Sequence, residues 1–398
     1  MWQDIKNIYH LFNAVLANGL YGFPSRKLTV IGVTGTDGKT TTVNLIYHIL
    51  QKAGRHASMI SSIGAIINGK ASDIGFHVTT PSPWSLQKFI KKAKGFLVLE
   101  VTSHALDQHR VWGIKFDVGV LTNVTHEHLD YHKTYENYVR TKSRLFGMAK
   151  KAVINRDDKS FKAPAFAPST PLRASAGKQN SKLITYGMSK SADLNPQNFP
   201  FETKLLGEFN RYNILAAVGA CKALGLSDKE IREGIEGFEA PKGRGEIVYE
   251  NSFYVMIDFA HTPNALEQIL SSVRSEVKGR LIHVFGSAGE RDYKKRPLMG
   301  KVSSNYADIV ILTAEDPRSE SIEEISNQIA QGIEDKNKML MIPNRQEAIN
   351  KAIKMAKEDD FILITGKAHE KSMNYGHGEE PWNEYEAVEK VIKLMNKR

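Results

Sequence analysis

Short runs of consecutive apolar residues alternate along most of this chain with stretches whose apolar positions recur every three or four residues. The runs at 27–33, 96–101, 118–124 and 152–155 predict buried strands, because a strand covered on both faces reads as continuously apolar. A second series at 254–259, 281–285, 309–313 and 361–365 predicts four more. Helical spacing predicts helices over 264–277, 322–333, 346–357 and 385–397. Such alternation implies parallel sheets clothed by helices on both faces. Residues 163–200 break the rhythm with Pro, Ser, Asn and Lys, and read as loops and short strands at the edge of a first domain. The Pro and Gly cluster at 237–245 marks a domain break. Ahead of the first strand, Ile8, Leu11, Phe12, Val15 and Leu16 outline one amphipathic helix.

The segment after the first strand, Gly32-Val33-Thr34-Gly35-Thr36-Asp37-Gly38-Lys39-Thr40, narrows the chemistry. It leads into a stretch with apolar Val43, Ile46, Tyr47 and Leu50, so the order is strand, glycine loop, helix. Backbone N–H groups of such a loop and of the helix N-terminus cradle polyphosphate oxygens. Lys39 reaches a terminal phosphate and Thr40 offers a hydroxyl to Mg²⁺, which points to a nucleoside triphosphate. Val33 stands where the strict pattern has its first glycine.

Length, composition and charge then remove alternatives. The 398 residues hold two or three domains, and 41% hydrophobic with 25% charged residues is ordinary for a globular protein. No apolar run has the length of a membrane span, no signal-peptide pattern opens the chain, and a single cysteine, Cys221, forms no internal disulfide. These features predict a cytoplasmic protein without a membrane partner. The net charge of +10 is spread along the chain without a basic tail or recognition motif, which suits anionic small molecules and argues against nucleic acid.

Several polar clusters fall beyond strand ends, where α/β proteins place their sites. Glu100 closes one run and is placed to hold Mg²⁺. The next run leads into Thr122-Asn123-Val124-Thr125-His126-Glu127-His128-Leu129-Asp130-Tyr131-His132. This segment misses the H-E-x-x-H zinc pattern and suits a Mg²⁺ or Mn²⁺ site with one His and carboxylates. Lys142 shares an apolar helix face with Tyr138, Leu145 and Phe146, where burial would leave its amine neutral. In the second series, Asp258, Arg291, Glu315, Asp316, Arg318, Lys367 and Glu370 follow strand ends. Arginine forks beside carboxylates suit a zwitterion such as an amino acid.

Taken together, Gly-Val-Thr-Gly-Thr-Asp-Gly-Lys-Thr-Thr-Thr, Thr-Thr-Pro-Ser-Pro, Ser-His-Ala-Leu-Asp-Gln-His-Arg, the histidine segment, Asn-Arg-Tyr-Asn-Ile-Leu-Ala-Ala and Asp-Phe-Ala-His-Thr-Pro resemble the Mur ligase family, most closely its MurE branch. The resemblance runs from Tyr21 to the C-terminus. It implies a short N-terminal helical segment at 1–26, a remnant of the family's first domain. A central P-loop ATPase domain with a mostly parallel sheet follows at 27–240, and a C-terminal Rossmann-like α/β domain that binds the amino acid at 241–398.

The implied reaction is ATP-dependent, ADP-forming addition of a diamino acid to UDP-N-acetylmuramoyl-L-Ala-D-Glu in peptidoglycan synthesis, through an acyl phosphate. Meso-diaminopimelate is favoured and L-lysine is the alternative. By the same likeness Gly35, Thr36, Asp37, Gly38, Lys39, Thr40 and Thr41 hold ATP, with Asn210, Asn213, Arg244 and Asp258 on the nucleotide side. Thr40, Glu100, His128 and Lys142, carried as a carbamate, hold the metal. Thr79, Thr80, Thr102, Gln108 and Arg110 contact the acceptor. Arg291, Glu315, Asp316, Pro317, Arg318, Gly366 and Glu370 bind the amino acid. Glu315-Asp316 replaces Asp-Asn of the family's diaminopimelate motif, Ala368 replaces a glycine, and Thr102 stands for a serine. Only about thirty residues precede the P-loop, so a partner protein in place of the family's UDP-binding domain is a further expectation. Two alternatives stay open: a ligase of the same type for another peptide or γ-glutamyl acceptor, and a non-catalytic ATP-binding protein of the same fold.

Overall fold

In the computed structural model, which describes residues 2–72, 74, 79–125, 127–163 and 183–395, the apolar runs become the inner strands of two separate sheets. The chain forms two compact units, Met1–Lys204 with Phe209–Glu239, and Ala240–Arg398 with Leu205–Glu208.

The first unit is built on an eight-stranded sheet among the described residues. Its strands are β1 (Thr29–Thr34), β2 (Ala57–Ser61), β3 (Gly64–Ile67), β4 (Lys70–Ser72), β5 (Phe96–Glu100), β6 (Phe116–Leu121), β7 (Ala149–Asn155) and β8 (Leu183–Tyr186), in the order β4-β3-β2-β5-β1-β6-β7-β8. All pairings from β2 to β8 are parallel, whereas β3 and β4 extend the sheet as an antiparallel edge. Its helices are α1 (Trp2–Tyr21), α2 (Lys39–Lys52), α3 (Pro83–Lys92), α4 (Ser103–Asp107), α5 (Leu129–His132), α6 (Tyr135–Gly147), α7 (Glu208–Ala223) and α8 (Asp228–Glu236). Side-chain oxygens of Ser82, Thr102, Thr134 and Ser227 accept backbone N–H groups at the starts of α3, α4, α6 and α8, which fixes where each helix begins. Cys221 is fully buried in α7, as a small core residue.

Several elements differ from the sequence reading. The first strand begins at Thr29 because Pro24–Lys27 is a turn of 3₁₀ helix, and the third ends at Leu121, leaving 122–125 as loop. The N-terminal helix forms, but its apolar side faces outward: Ile8 is 67% exposed and Phe12 61%. Its inner face is small and polar. Ala14, Ala17 and Asn18 are buried, Asn18 donates to the Trp112 carbonyl at 2.7 Å, and Asn7 donates to Asp107 at 3.0 Å. Part of the irregular segment at 163–200, the final residues of the last predicted helix and His126 lie outside the described residues.

The second unit centres on the sheet β13-β12-β11-β14-β10-β9, with β9 (Arg244–Glu250), β10 (Tyr254–Asp258), β11 (Leu281–Phe285), β12 (Ile309–Leu312), β13 (Met339–Met341) and β14 (Phe361–Thr365). Only the β9 edge runs antiparallel. A hairpin of β15 (Ser372–Asn374) and β16 (Glu379–Pro381) follows, and the helices are α9 (Pro263–Glu276), α10 (Lys295–Tyr306), α11 (Ile322–Ala330), α12 (Arg345–Met355) and α13 (Glu384–Met395). Among the described residues no helix is long and apolar enough to cross a membrane.

One buried ion pair ties the ends of the central strands together. Arg345 on α12 and Glu384 on α13 are both fully buried and paired through two nitrogens. Two further guanidinium hydrogens go to the Ala314 carbonyl (3.0 Å), beyond β12, and the Thr365 carbonyl (2.8 Å), at the end of β14. Removing one partner leaves the other charge buried and uncompensated, an effect of about 3–5 kcal/mol. Glu384→Ala is therefore expected to destabilise the second unit by that amount in urea unfolding, with Glu384→Gln less damaging; a change within about 0.5 kcal/mol would contradict this.

Candidate active site

β1 delivers the chain into the loop Gly35–Gly38, and α2 starts at Lys39. Val33 is fully buried inside β1, so the turn falls to Gly35 and Gly38 and does not need a glycine at 33. A Cβ at Gly35 would stand 1.8 Å from the Thr122 hydroxyl, and one at Gly38 (φ +78°) 2.1 Å from Asn213 Oδ1. Both positions require glycine. Asn123 clasps the loop, its carbonyl accepting from Thr36 N and its Oδ1 from Asp37 N, each at 2.9 Å. Lys39 Nζ curls back to the Thr36 carbonyl at 2.6 Å. Thr41 is buried in the first turn of α2, and Asn213 donates to Asn210 at 3.0 Å on α7 beside the loop.

Glu100 ends β5 next to Val33 of β1. Its Oε2 accepts from the Thr40 hydroxyl (3.0 Å) and from Ser62 N (2.9 Å), and it is 2% exposed. Thr40 and Glu100, each expected to hold the metal, are in direct contact here. Lys142 on α6 is fully buried; its Nζ donates to the Gly35 carbonyl at 2.6 Å and lies 4.4 Å from the centre of the Tyr138 ring. Burial foremost, and then the Lys39 charge, hold its amine well below the ordinary lysine range, against the pull of Glu127, Asp37 and Glu100. Tyr138 hydrogen-bonds the Thr36 hydroxyl at 3.2 Å, and burial pushes its phenol up.

His128 adopts a left-handed conformation (φ +55°), with its ring 3.8 Å from the Glu127 carboxylate and 6.1 Å, centre to centre, from Tyr138. Tyr138 is thus flanked by both His128 and Lys142. Among the described residues no group of three or more His, Cys, Asp or Glu side chains is arranged as it stands to hold a metal ion. Oxygen donors predominate at this end of the sheet, the Thr40 hydroxyl and the Glu100 carboxylate, which suits a hard cation such as Mg²⁺.

The expected acceptor residues form a connected group. Thr80 donates to the Glu100 carbonyl (3.0 Å) and accepts from Thr102 N (3.2 Å). Arg110 donates to Gln108 Oε1 (2.8 Å) and to the Thr80 carbonyl (3.2 Å), and burial holds its guanidinium below its ordinary value. Thr79 adjoins this group in sequence and is half-buried. Sequence reasoning missed three participants. Tyr131 donates to Asp107 at 2.9 Å, sits 3.5 Å from Gln108 Nε2 and is pushed up to about 12, chiefly by burial. The His104 ring lies 4.2 Å from Tyr131 and 5.0 Å from His128. The histidine and tyrosine enrichment of 126–132 was the available signal for Tyr131, and the polar run after the strand ending at Glu100 was that for His104 and Asp107.

In the second unit, Asp258 ends β10, accepts from Ala260 N at 2.7 Å and is raised by burial, with Arg244 the main opposing charge. The Arg244 guanidinium lies 4.5 Å from the Phe259 ring centre. Lys367, fully buried, donates to Asp316 (2.8 Å) and Glu370 (2.6 Å), so these three of the basic and acidic residues singled out in the sequence meet here. Glu315 is buried and raised by burial, and its Oε2 has no hydrogen-bond partner. A Cβ at Gly366 would stand 2.2 Å from that oxygen. Pro317 is buried, Arg318 half-buried with φ +54°, and Arg291 exposed in the loop before α10. Ala368 is buried at φ +41°, a conformation in which glycine is the usual occupant. His369, largely buried, is pushed down to about 3, mainly by desolvation.

A glycine loop between strand and helix, its lysine and threonine, and a strand-end carboxylate bonded to that threonine define a P-loop nucleotide-binding protein. Family models for the Mur ligase middle domain and the Mur ligase glutamate ligase domain match residues 33–221 and 243–368. The chain belongs to the Mur ligase family, whose members are ATP-dependent ligases. It is 39% identical over 407 residues to a UDP-N-acetylmuramoyl-L-alanyl-D-glutamate–2,6-diaminopimelate ligase of Clostridium acetobutylicum, covering 96% of this chain and 82% of that one. The same-named ligase of Aquifex aeolicus is 37% identical over 94% of this chain and 80% of its own length. A solved structure of such a diaminopimelate ligase superposes with TM-score 0.62 at 30% identity, covering 93% of this chain and 79% of that one. E. coli FolC with DHPP and ADP shares the fold at TM-score 0.71 and 20% identity, over 98% of this chain and 93% of its own.

Gly38→Ala tests the loop geometry. The left-handed backbone and the clash with Asn213 are expected to weaken ATP binding by about tenfold or more in calorimetry. Unchanged affinity would show that nucleotide does not use this loop.

Proposed function

We propose that this chain is the ligase that extends UDP-N-acetylmuramoyl-L-Ala-D-Glu by a diamino acid, with diaminopimelate preferred over lysine. One observation carries the reading: Lys39, the Thr40–Glu100 bond and the buried Lys142 amine converge on a single loop. A protein that only held a nucleotide would have no use for a buried neutral amine beside a metal-type carboxylate. Half-buried Arg318 and the Lys367 group with Asp316 and Glu370 supply a fork for a carboxylate and acids for amines, which suits a zwitterionic diamino acid.

In this reading Gly35 to Thr41 cradle the phosphates, and Asn210, Asn213, Arg244 and Asp258 serve the nucleoside. Thr40, Glu100, His128 and a carbamate on Lys142 would hold Mg²⁺, with Mn²⁺ as a substitute. The donor set supports this: hydroxyl and carboxylate oxygens are present, and a neutral amine is the form that adds to CO₂. Mg²⁺ held there would offset charge on the transferring phosphoryl group. Lys39 does the same from the loop, so positioning and electrostatics supply most of the rate.

A carboxylate oxygen of the acceptor, oriented by Thr80, Thr102, Gln108 and Arg110, attacks the γ-phosphorus of ATP and ADP leaves. The amine nitrogen, held near Arg291, Glu315, Pro317, Arg318, Gly366 and Glu370, then attacks the acyl carbon. Phosphate departs and the nitrogen gives up a proton. Activation is needed because a free carboxylate is a poor acyl donor. Substrates of this kind place the reaction in the cytoplasm.

The test is ADP release with ATP, Mg²⁺ and the UDP-linked dipeptide, run with meso-diaminopimelate, L-lysine or no amine and with mass detection of the product. Turnover that requires both acceptor and diaminopimelate is expected, and Lys142→Met should lose it. Turnover on another γ-glutamyl acceptor, or only after a second protein is added, would reassign the acceptor or its carrier. ATP binding without turnover under every condition would contradict the ligase reading.

A further inference from the structure

Helix α1 presents its apolar side to solvent along its whole length. Ile5, Ile8, Tyr9, Phe12, Leu16 and Leu20 recur at intervals of i, i+3, i+4, i+7, i+11 and i+15, which places them on one face. All are exposed, from 39% for Leu16 to 73% for Leu20. The helix cannot simply roll this face inward, because its other side is fastened. Gln3 donates to Tyr131, Asn7 to Asp107 and Asn18 to the Trp112 carbonyl, while Trp84 on α3 donates to Asn13 at 2.9 Å. A contiguous apolar face of roughly 300 Å² equals the largest patch of a typical monomer, which is often functional.

The border of the face is basic. Residues 1–27 and 82–95 together contain Lys6, Arg26, Lys27, Lys88, Lys91, Lys92 and Lys94 against a single acid, Asp4. Lys88, Lys91, Lys92 and Lys94 are exposed on and just after α3, which packs along α1, and the Lys91 ammonium lies 5.5 Å from the Tyr21 ring centre. A second copy of the chain would bring the same positive charges against themselves, so an anionic occupant is favoured. One side of a 20-residue helix, about 30 Å long and about 10 Å wide, offers roughly 300 Å². That is well below the roughly 800 Å² each partner contributes to a stable protein interface. It is sufficient for a helix lying in a membrane surface, where apolar side chains enter the acyl boundary and lysines meet anionic headgroups. Tyr9, Tyr21 and Trp84 are side chains that favour that boundary.

We propose that the outer face of α1, with the lysines of α3, is a docking surface for an anionic lipid bilayer. The sequence, having no membrane span, predicts no membrane partner; the outward orientation of α1 is what changes that expectation. The proposal is independent of the ligase reading, since it concerns binding alone.

The experiment is co-sedimentation of the full chain with vesicles of phosphatidylglycerol and phosphatidylcholine, against vesicles of phosphatidylcholine only. Binding to the anionic vesicles is expected, weakening as salt rises. A Lys88→Gln, Lys91→Gln, Lys92→Gln triple variant should bind about a hundredfold more weakly. Ile8→Glu with Phe12→Glu should abolish binding while leaving the thermal unfolding midpoint unchanged, as both side chains are exposed. No binding at low salt, or binding that survives both variants, would overturn the proposal. So would a concentration-dependent dimer, or a complex with an acidic protein, that the Ile8→Glu, Phe12→Glu variant dissolves while vesicle binding is absent.

Discussion

The Lys142 amine is sealed in the first unit, 2.6 Å from the Gly35 carbonyl and against the Tyr138 ring, and its ionisation governs what the surrounding loops can do. As an ammonium it would be stripped of water and would face the Lys39 charge, so the neutral form is favoured there. The glycine loop and α6 are packed around that amine. The glycine loop passes close enough for the Gly35 carbonyl to accept from Nζ, while Thr122 leaves no space for a Cβ at that residue. Tyr138, one turn before Lys142 on α6, closes the amine from one side and bonds Thr36 of the loop on the other. An anionic form of this side chain would turn its repulsion by Lys39 into attraction and add oxygen donors beside Glu100 and Thr40.

The second unit solves a similar problem by pairing its charges. Arg345 and Glu384 neutralise each other without solvent, and the guanidinium also fixes the chain ends of β12 and β14. Lys367 does the same for Asp316 and Glu370, so the loops proposed to receive the amino acid are held by buried cations rather than by apolar packing. Ala368, adjacent to Lys367, accepts a left-handed backbone as part of that arrangement. Glu315, with an unpartnered oxygen under Gly366, is the one carboxylate there that the internal pairs do not fully satisfy.

Much of the framework was legible from apolar runs. The 281–285 and 361–365 strands end where expected, and the helices at 264–277 and 346–357 shift by one or two residues. The short strands β2 to β4 escaped because Ser, Gly and Lys interrupt their apolar runs, although Asn68-Gly69, both at positive φ, is a strong hairpin signal. Helix α10 escaped because fully buried Arg296 occupies a core position and pairs with Glu320, which a hydrophobic pattern does not register. Lys142 and Glu100 could be singled out from spacing alone. Their contacts with Gly35 and Thr40 could not, since each joins residues more than fifty positions apart. The orientation of α1 was equally invisible: periodicity defines two faces but does not say which one is buried.

The central claim is that Lys142 holds a neutral amine that becomes a carbamate. Carbon-13 NMR of the protein equilibrated with ¹³C-labelled bicarbonate tests it most directly. A single carbamate resonance, present in the parent and absent from Lys142→Met, is the expected result. No such resonance, or one that persists when Lys142 is replaced, would contradict the account.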